Sequence, residues 1–263
     1  MTRDDMTRDA MTLDNRVRSA APLILWGMNS PNVRKVALML EEIGLPYDLR
    51  HVSVFRGEQF TPGFLALNPL GKVPVLTDPA LGAPLAESAA ILFYLAEKHE
   101  LFLPAHTPAR YEVMQWVMVQ MASIGPMLGQ LNHFQMPGQR EGQPYALGRY
   151  TEAARRLYRL LDDRLADRQW IAGDAYSIAD IASWPWATYL EQHGFDPAGH
   201  PALIRWRDAI AARPAAARMV ERTQAAFTAP STAARKSATA AELDQFFGRT
   251  SAMPAADYTA LTR

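Results

Sequence analysis

The sequence predicts a fold in two parts, a small α/β layer followed by an all-α half. Three observations predict it. Short β-rich runs interleave with helical patterns from Leu23 to about His99; that alternation stops at the proline-containing segment LFLPAHTP, residues 101–108; and helical periodicity alone continues to about Met219. A length of 263 residues suits two ordinary domains. With 49 % apolar and 21 % charged residues, the chain has enough apolar material for a packed core.

Residues 1–21 repeat a Met-Thr-Arg-Asp theme and offer little to bury, so they are expected to form a disordered arm. The first domain is expected over residues 22–104. LILW reads as its first strand. In the helix that follows, Val33, Val36, Ala37, Leu40 and Ile43 fall on one face, and Gly44 stops it. YDLRHVSV supplies a second strand and completes a parallel βαβ unit. TPGFLALN reads as a brief helix, VPVLTD and APLAE as strands, and SAAILFYLAEKH as the closing helix.

The second domain is expected over residues 105–221. One helix begins near Pro108 and is interrupted at Gly125-Pro126; another covers about Tyr145 to Leu165, with Ala154, Leu157, Leu161 and Leu165 on one stripe. In YSIADIASWPW, Ser177 and Asp180 form a capping box, with Tyr176 and Ile181 placed as a hydrophobic staple. Beyond Arg222 the Ala/Thr/Ser-rich tail, residues 222–263, carries LDQFF as its apolar island. It is either disordered or draped over the body, and its composition favours disorder.

Twenty-seven basic residues balance twenty-seven acidic ones, so no long-range field gathers nucleic acid or anionic lipid. No apolar run reaches the ~18 residues of a membrane span, and no secretory leader is evident, so the expected location is cytoplasmic. With no cysteine, the chain has no disulfide, thiolate metal site or redox sulfur of its own. Its six histidines show no ligand spacing, and no metal is expected. Any thiol chemistry must use sulfur brought in by a ligand.

Three places carry candidate chemistry. At the first strand-to-helix junction, Ser30 suits an N-cap and Pro31 the first helical position. The same helix start can hold an anion, and a bound thiolate there would have its pKa lowered; a shift of about two units is worth roughly 2.7 kcal/mol. In NPLGKVPVL, Val73 precedes Pro74 where a strand begins, read as a turn-to-strand transition or, less commonly, a cis bond. In LAESAAILFYLAEK, Glu87 and Ser88 open another helix. Ser88 with its backbone N–H suits a carboxylate, and Glu87 an ammonium, although a plain cap explains the pair too.

In this order, the Ser-Pro helix start, the KVP segment, the ESAAILFYLAEK helix and SIADIASWPW resemble the cytosolic glutathione transferases over about residues 22–221. The resemblance implies a thioredoxin-like N-terminal domain, a helical-bundle C-terminal domain and a homodimer. SPNVRKVALMLEEIG, GEQFTPGFLALNPLGKVPVL, IGPMLGQLNHF and YALGRYTEAARRLY are most similar to the bacterial nu class, which includes glutathione-dependent disulfide-bond reductases. That class often has Thr where Ser30 stands and Gly where Val33 stands. The resemblance implies that Ser30 and Asn32 contact the sulfur of glutathione as catalytic residues. It further implies that Gln59, Lys72, Val73, Glu87 and Ser88 bind the tripeptide and that Arg149 reaches its glycine carboxylate.

The implied reaction uses glutathione as co-substrate to reduce a disulfide or peroxide, with glutathione disulfide as a further ligand. Conjugation to a small apolar electrophile is the alternative within the class, and a ligand-binding scaffold of the same fold the alternative outside it. Trp116, Trp184, Trp186, Met114, Met118 and Met121 are candidates for an apolar co-substrate wall, though core packing explains most of them.

Overall fold

The structure, a computed structural model, describes residues 23–136, 143–253 and 255–262. The arm expected over residues 1–21 lies outside them. The N-terminal layer contains a four-stranded sheet in the order β2-β1-β3-β4, built from β1 (Leu23–Gly27), β2 (Tyr47–His51), β3 (Val75–Thr77) and β4 (Pro84–Ala86). β1 runs parallel to β2 and antiparallel to β3, which pairs antiparallel with β4. Three α-helices belong to this layer among the described residues: α1 (Pro31–Ile43), the single turn α2 (Pro62–Leu65) and α3 (Ser88–His99). The parallel β1-α1-β2 unit is the one the sequence pattern predicts.

Alternation along the strands divides the sheet between two cores. Leu25 and Leu76 join Val33, Val36 and Leu40 of α1 and Ile91, Leu92 and Leu95 of α3 in the larger one. Val75, with Trp26 packed beside it, faces a smaller cluster containing Val52, Val54 and Phe64. α1 starts at Ser30, whose Oγ accepts from the Val33 N–H at 3.4 Å, and ends at Gly44 in the left-handed region, φ 78°. Val33 lies so close to Gly27 that a Cβ there would stand 2.7 Å from both Val33 methyls. The strand must therefore end in glycine for α1 to carry valine at this position.

The helical half comprises α4 (Ala109–Val119), α5 (Gly125–Gln135), α6 (Pro144–Leu165), α7 (Ile178–Ala187), α8 (Pro201–Ala211), α9 (Pro214–Ser237), α10 (Ala240–Phe247) and α11 (Thr259–Thr262). Where the sequence predicts an interruption at Gly125-Pro126, α4 instead passes into a π-helical turn, Gln120–Ile124, and continues as α5. Pro126 has no N–H to give and its ring crowds the carbonyl four residues earlier, so a wider turn accommodates it without breaking the helix.

The tail also departs from the expected disorder. α9 runs well past Arg222, with Thr223, Phe227 and Ala234 buried, and α10 buries Leu243 and packs Phe246 against Phe55. Sparse apolar residues suffice because they share one stripe and because α9 is clamped to the N-terminal layer. Arg218 and Arg222 donate to the buried Glu41 carboxylate at 2.9 and 2.8 Å, and Arg213 to Glu42 at 2.6 Å. Burial alone would raise the Glu41 pKa, but bonds from Arg218, Arg222 and Tyr47 bring it below the usual value. These pairs join the last long helix to the back of α1.

Candidate functional site

α1 packs on α3, α7 and α9, and its N-terminal end opens into a cavity of ≈ 400 Å³ between the two halves of the molecule. The N-terminal layer contributes Asn32 and Lys35 from α1, Lys72 and Val73 from the segment before β3, and Glu87 and Ser88 from the start of α3. Gln120 and Met121 from the π turn, Pro126 and Gly129 from α5, and Trp186 from α7 close the other side. Of the sequence-predicted site residues, the fold thus brings Asn32, Lys72, Val73, Glu87 and Ser88 to one cavity although they are scattered along the chain from residue 32 to residue 88.

Asn32 is the most informative of these. Its Oδ1 accepts from the indole Nε1–H of Trp186 at 3.1 Å. An indole nitrogen can only donate, so the amide oxygen must be the partner, and the two Nδ2 hydrogens are turned away from Trp186. The orientation of the amide is set by chemistry, and it leaves donors for an anion in the cavity that Asn32 lines.

Ser88 is the first residue of α3, a helix whose preceding Glu87 makes no side-chain cap. The open N-terminal N–H groups and the Ser88 hydroxyl form an anion-favouring end beside the cavity. Glu87 holds φ at 67°, a region unfavourable for a residue with a Cβ. The Val73–Pro74 peptide bond is cis, the less common of the two readings open from sequence. Asn68 braces the segment before it, donating from Nδ2 to the Lys72 carbonyl at 2.7 Å and accepting from the Leu70 N–H.

Ser30, Gln59 and Arg149 stand apart from this wall. Ser30 caps α1, next to but not among the residues lining the cavity. Gln59, open from sequence to a solvated-surface reading, is instead 3 % exposed, and its Oε1 has no hydrogen-bond partner among the described residues. Its backbone carbonyl abuts Gly71, next to Lys72. Arg149 is exposed on α6 and lines a separate cavity of ≈ 340 Å³ with Met127, Tyr145 and Glu152. Met127 lies on α5 between Pro126 and Gly129, so the two cavities adjoin the same helix.

Two residues of the site gave no signal in the sequence. Lys35 is 1 % exposed, and its Nζ donates to Gln120 Oε1 at 2.6 Å and Ser88 Oγ at 3.3 Å, with Met121 Sδ at 3.6 Å. Burial pushes its pKa down to about 7, partly offset by the negative charge of Glu87. Gln120 is fully buried, and its Nε2 lacks a partner among the described residues. Of the aromatic and methionine candidates, Trp186 and Met121 reach the cavity, while Trp116 and Trp184 are buried in the core. His133 packs on Phe134 and Phe247 instead, and burial, then Arg249, lowers its pKa.

A thioredoxin-like layer joined to a helical half, with an anion-favouring cavity where they meet, defines a class, and comparison with known proteins assigns the family. Residues 29–98 match the glutathione S-transferase N-terminal domain and residues 136–214 the glutathione S-transferase C-terminal domain. The chain is 42 % identical over 205 residues to the disulfide-bond oxidoreductase YfcG of Escherichia coli K12, covering 76 % of this chain and 95 % of that protein. It is 36 % identical over 221 residues to the disulfide-bond oxidoreductase YghU of the same organism, covering 77 % and 76 %.

Among solved structures, a glutathione transferase family member from Pseudomonas fluorescens with two glutathione bound is 42 % identical, with TM-score 0.70 over 76 % of this chain and 92 % of that one. A Pseudomonas putida glutathione transferase with one glutathione disulfide bound per subunit is 37 % identical, with TM-score 0.71 over 76 % and 91 %. This chain belongs to the glutathione S-transferase family.

Proposed function

We propose that this protein is a glutathione-dependent disulfide reductase of the nu class, acting in the cytoplasm as a homodimer. The observation that carries the reading is the Asn32 amide: its oxygen is engaged by Trp186, and its N–H donors, which have no partner among the described residues, face a cavity in a chain that has no cysteine of its own. The cavity chemistry fits the tripeptide. Ser88 and the open end of α3 suit one of its carboxylates, Glu87 suits its ammonium, and Lys72 adds positive charge at the rim. Val73 offers backbone groups beside them. Ser30 supports the sulfur from the first position of the junction, and Gln59 and Arg149 complete the proposal on the family resemblance alone. The relatives named for disulfide-bond oxidoreduction, and the solved relatives holding two glutathiones or one glutathione disulfide, support this reading.

The reaction proceeds by two thiol exchanges. A glutathione thiolate attacks one sulfur of the substrate disulfide, forming a mixed disulfide and releasing the other sulfur as a thiolate, which takes up a proton. A second glutathione thiolate then attacks the glutathione sulfur of the mixed disulfide, giving glutathione disulfide and the second product thiol. Two electrons pass from two glutathiones to the substrate, and every sulfur belongs to a ligand. The protein's part is to keep the attacking sulfur ionised: a free thiol with pKa near 8.5 is only a few per cent thiolate at neutral pH, leaving about tenfold to be gained from ionisation.

Two measurements test this. Reduction of 2-hydroxyethyl disulfide by glutathione is expected to exceed the uncatalysed rate clearly, and to exceed conjugation of a chloronitrobenzene; a reductase rate equal to background would sink the assignment. The double variant Ser30→Ala/Asn32→Ala is expected to raise the pKa of bound glutathione by about one to two units, the effect of removing two donors to the charged form. Ultraviolet titration of the thiolate reads this directly, and an unchanged titration would remove these two residues from the mechanism.

A further inference from the structure

Lys35 is a long cationic side chain off the apolar stripe of α1, where a simple amphipathic helix would face solvent, yet it is buried between the two halves of the molecule. Its three ammonium hydrogens meet three atoms: the carbonyl oxygen of Gln120, the hydroxyl of Ser88 and the sulfur of Met121. Ser88 and Gln120 are themselves 3 % and 0 % exposed, and all of these residues line the cavity. None is an anion. A buried ammonium without a carboxylate partner is a costly arrangement, and proteins retain it where something else supplies the charge.

The hydrogen-bond directions indicate where that charge arrives. Because Lys35 donates to Ser88 Oγ, the hydroxyl proton must go to another acceptor. In the structure it points to Met121 Sδ at 3.6 Å, a weak acceptor. A carboxylate at the open end of α3 would take that proton bond and lie one hydroxyl away from the ammonium.

Other charges packed against α1 do not serve the purpose. Glu41 is held by Arg218 and Arg222, Asp180 of α7 by Ile171, Ser177 and Trp206, and Arg34 by Asn29. On α3, Lys98 pairs with Asp78. Glu87 acts on Lys35 through space, and Lys72 lies at the rim of the same cavity.

We propose that Lys35 is a positioning residue for the tripeptide: it fixes the Ser88 hydroxyl and the Gln120 amide across the domain boundary, and it takes a proton from solvent when a ligand carboxylate docks on Ser88. This rests on the reading of the cavity as a glutathione site. In the free protein the amine is about half protonated near neutral pH. An anion about one hydroxyl away favours the ammonium, so binding draws in a proton. The sign of the pH dependence follows. Below about pH 7 the amine is charged with or without ligand, and affinity is flat; above it, affinity falls with rising pH until the amine of the complex also deprotonates.

S-methylglutathione separates this proton from the thiol's, because it has no ionisable sulfur. Calorimetry of its binding near pH 7.5, in two buffers of different ionisation enthalpy, is expected to show net uptake of about half a proton or more, as an opposing charge that raises the amine by about 1–3 units requires. Lys35→Met is expected to abolish that uptake and to weaken binding about tenfold or more near pH 6.5. The gap should narrow as pH rises toward 9, because the amine of the free wild type is then neutral and protonating it on binding takes away affinity. A purely structural lysine would weaken binding equally at every pH.

The wild-type measurement decides the matter even if Lys35→Met does not fold. Binding with equal heats in the two buffers and a flat profile above pH 7 overturns the role of Lys35 while leaving the site in place. Uptake that persists in Lys35→Met assigns the proton elsewhere and also overturns it. Absence of any S-methylglutathione binding to the wild type overturns the glutathione site itself, and this proposal with it.

Discussion

At the start of α7, Ser177 and Asp180 direct their polar atoms inward. At the start of α1, Ser30 caps the helix and Asn32 leaves its amide donors toward a cavity. Both starts are serine-led, and both look like helix caps from sequence alone. Ser177 Oγ accepts from the Ala179 N–H, while the Asp180 carboxylate accepts from the Ser177 N–H and hydroxyl, the Ile171 N–H at 2.9 Å and the Trp206 indole at 2.8 Å. Burial still pushes the Asp180 carboxyl up to about 6, against the lowering effect of those bonds.

The α1 start is half-buried, its single cap bond is long at 3.4 Å, and its Asn32 amide is anchored at one end only. The difference separates two uses of one local pattern. A start whose donors and acceptors are all matched internally stabilises the fold, whereas one with donors unmatched can hold a ligand.

The largest expected effect tests the structural member of the pair. Asp180→Ala leaves two backbone N–H groups and an indole N–H unpaired in the core, and it is expected to cost about 3–5 kcal/mol, measured as a drop in the urea midpoint. A loss under about 1 kcal/mol would mean that the two helix starts do not differ in the way described.

Asn32→Asp tests the other member more sharply than removal does. The aspartate keeps an acceptor for Trp186 but replaces the amide donors with negative charge. The expected result is stability within about 1 kcal/mol of wild type, with the glutathione-dependent rate falling about 100-fold, a loss of roughly 2.7 kcal/mol of charge stabilisation. A rate unchanged in this variant would return Asn32 to an ordinary helix-start residue.

The smallest effect is expected from Trp186→Phe, which keeps the ring but removes the indole donor. The Asn32 amide then loses the partner that sets its orientation. The rate is expected to fall about threefold to tenfold, with KM for glutathione moving less than twofold, since a neutral hydrogen bond contributes about 0.5–1.5 kcal/mol. An equal rise in KM would instead assign Trp186 to binding.

These three residues also mark how far the sequence could be read. Ser177 and Asp180 are three positions apart, as are Ser30 and Val33, so both caps are legible: their geometry is complete within one helical turn. The Asn32–Trp186 and Lys35–Gln120 bonds join residues separated by 154 and 85 positions. No spacing rule spans such distances, and Lys35 carried no signal because a lysine in a helix pattern ordinarily points to solvent. The continuation of α9 past Arg222 is not legible for a related reason. Its few buried residues look insufficient for a helix until the ion pairs with Glu41 and Glu42 are seen, and those depend on α1 lying beside it.

The sequence by itself determined the strands and helices of the first layer, the Ser30 and Ser177 caps, the parallel first unit, the change from α/β to all-α and the lack of a sulfur nucleophile, because each depends on periodicity, on contacts within a few residues or on composition. Only the tertiary structure decided that the Asn32 amide turns its donors away from Trp186, that Lys35 is buried without an anion, and that Arg149 lies beside a different cavity. Those outcomes follow from the packing of α1 against α3, α7 and the π turn, and packing joins residues whose order in the chain carries no record of their distance in space.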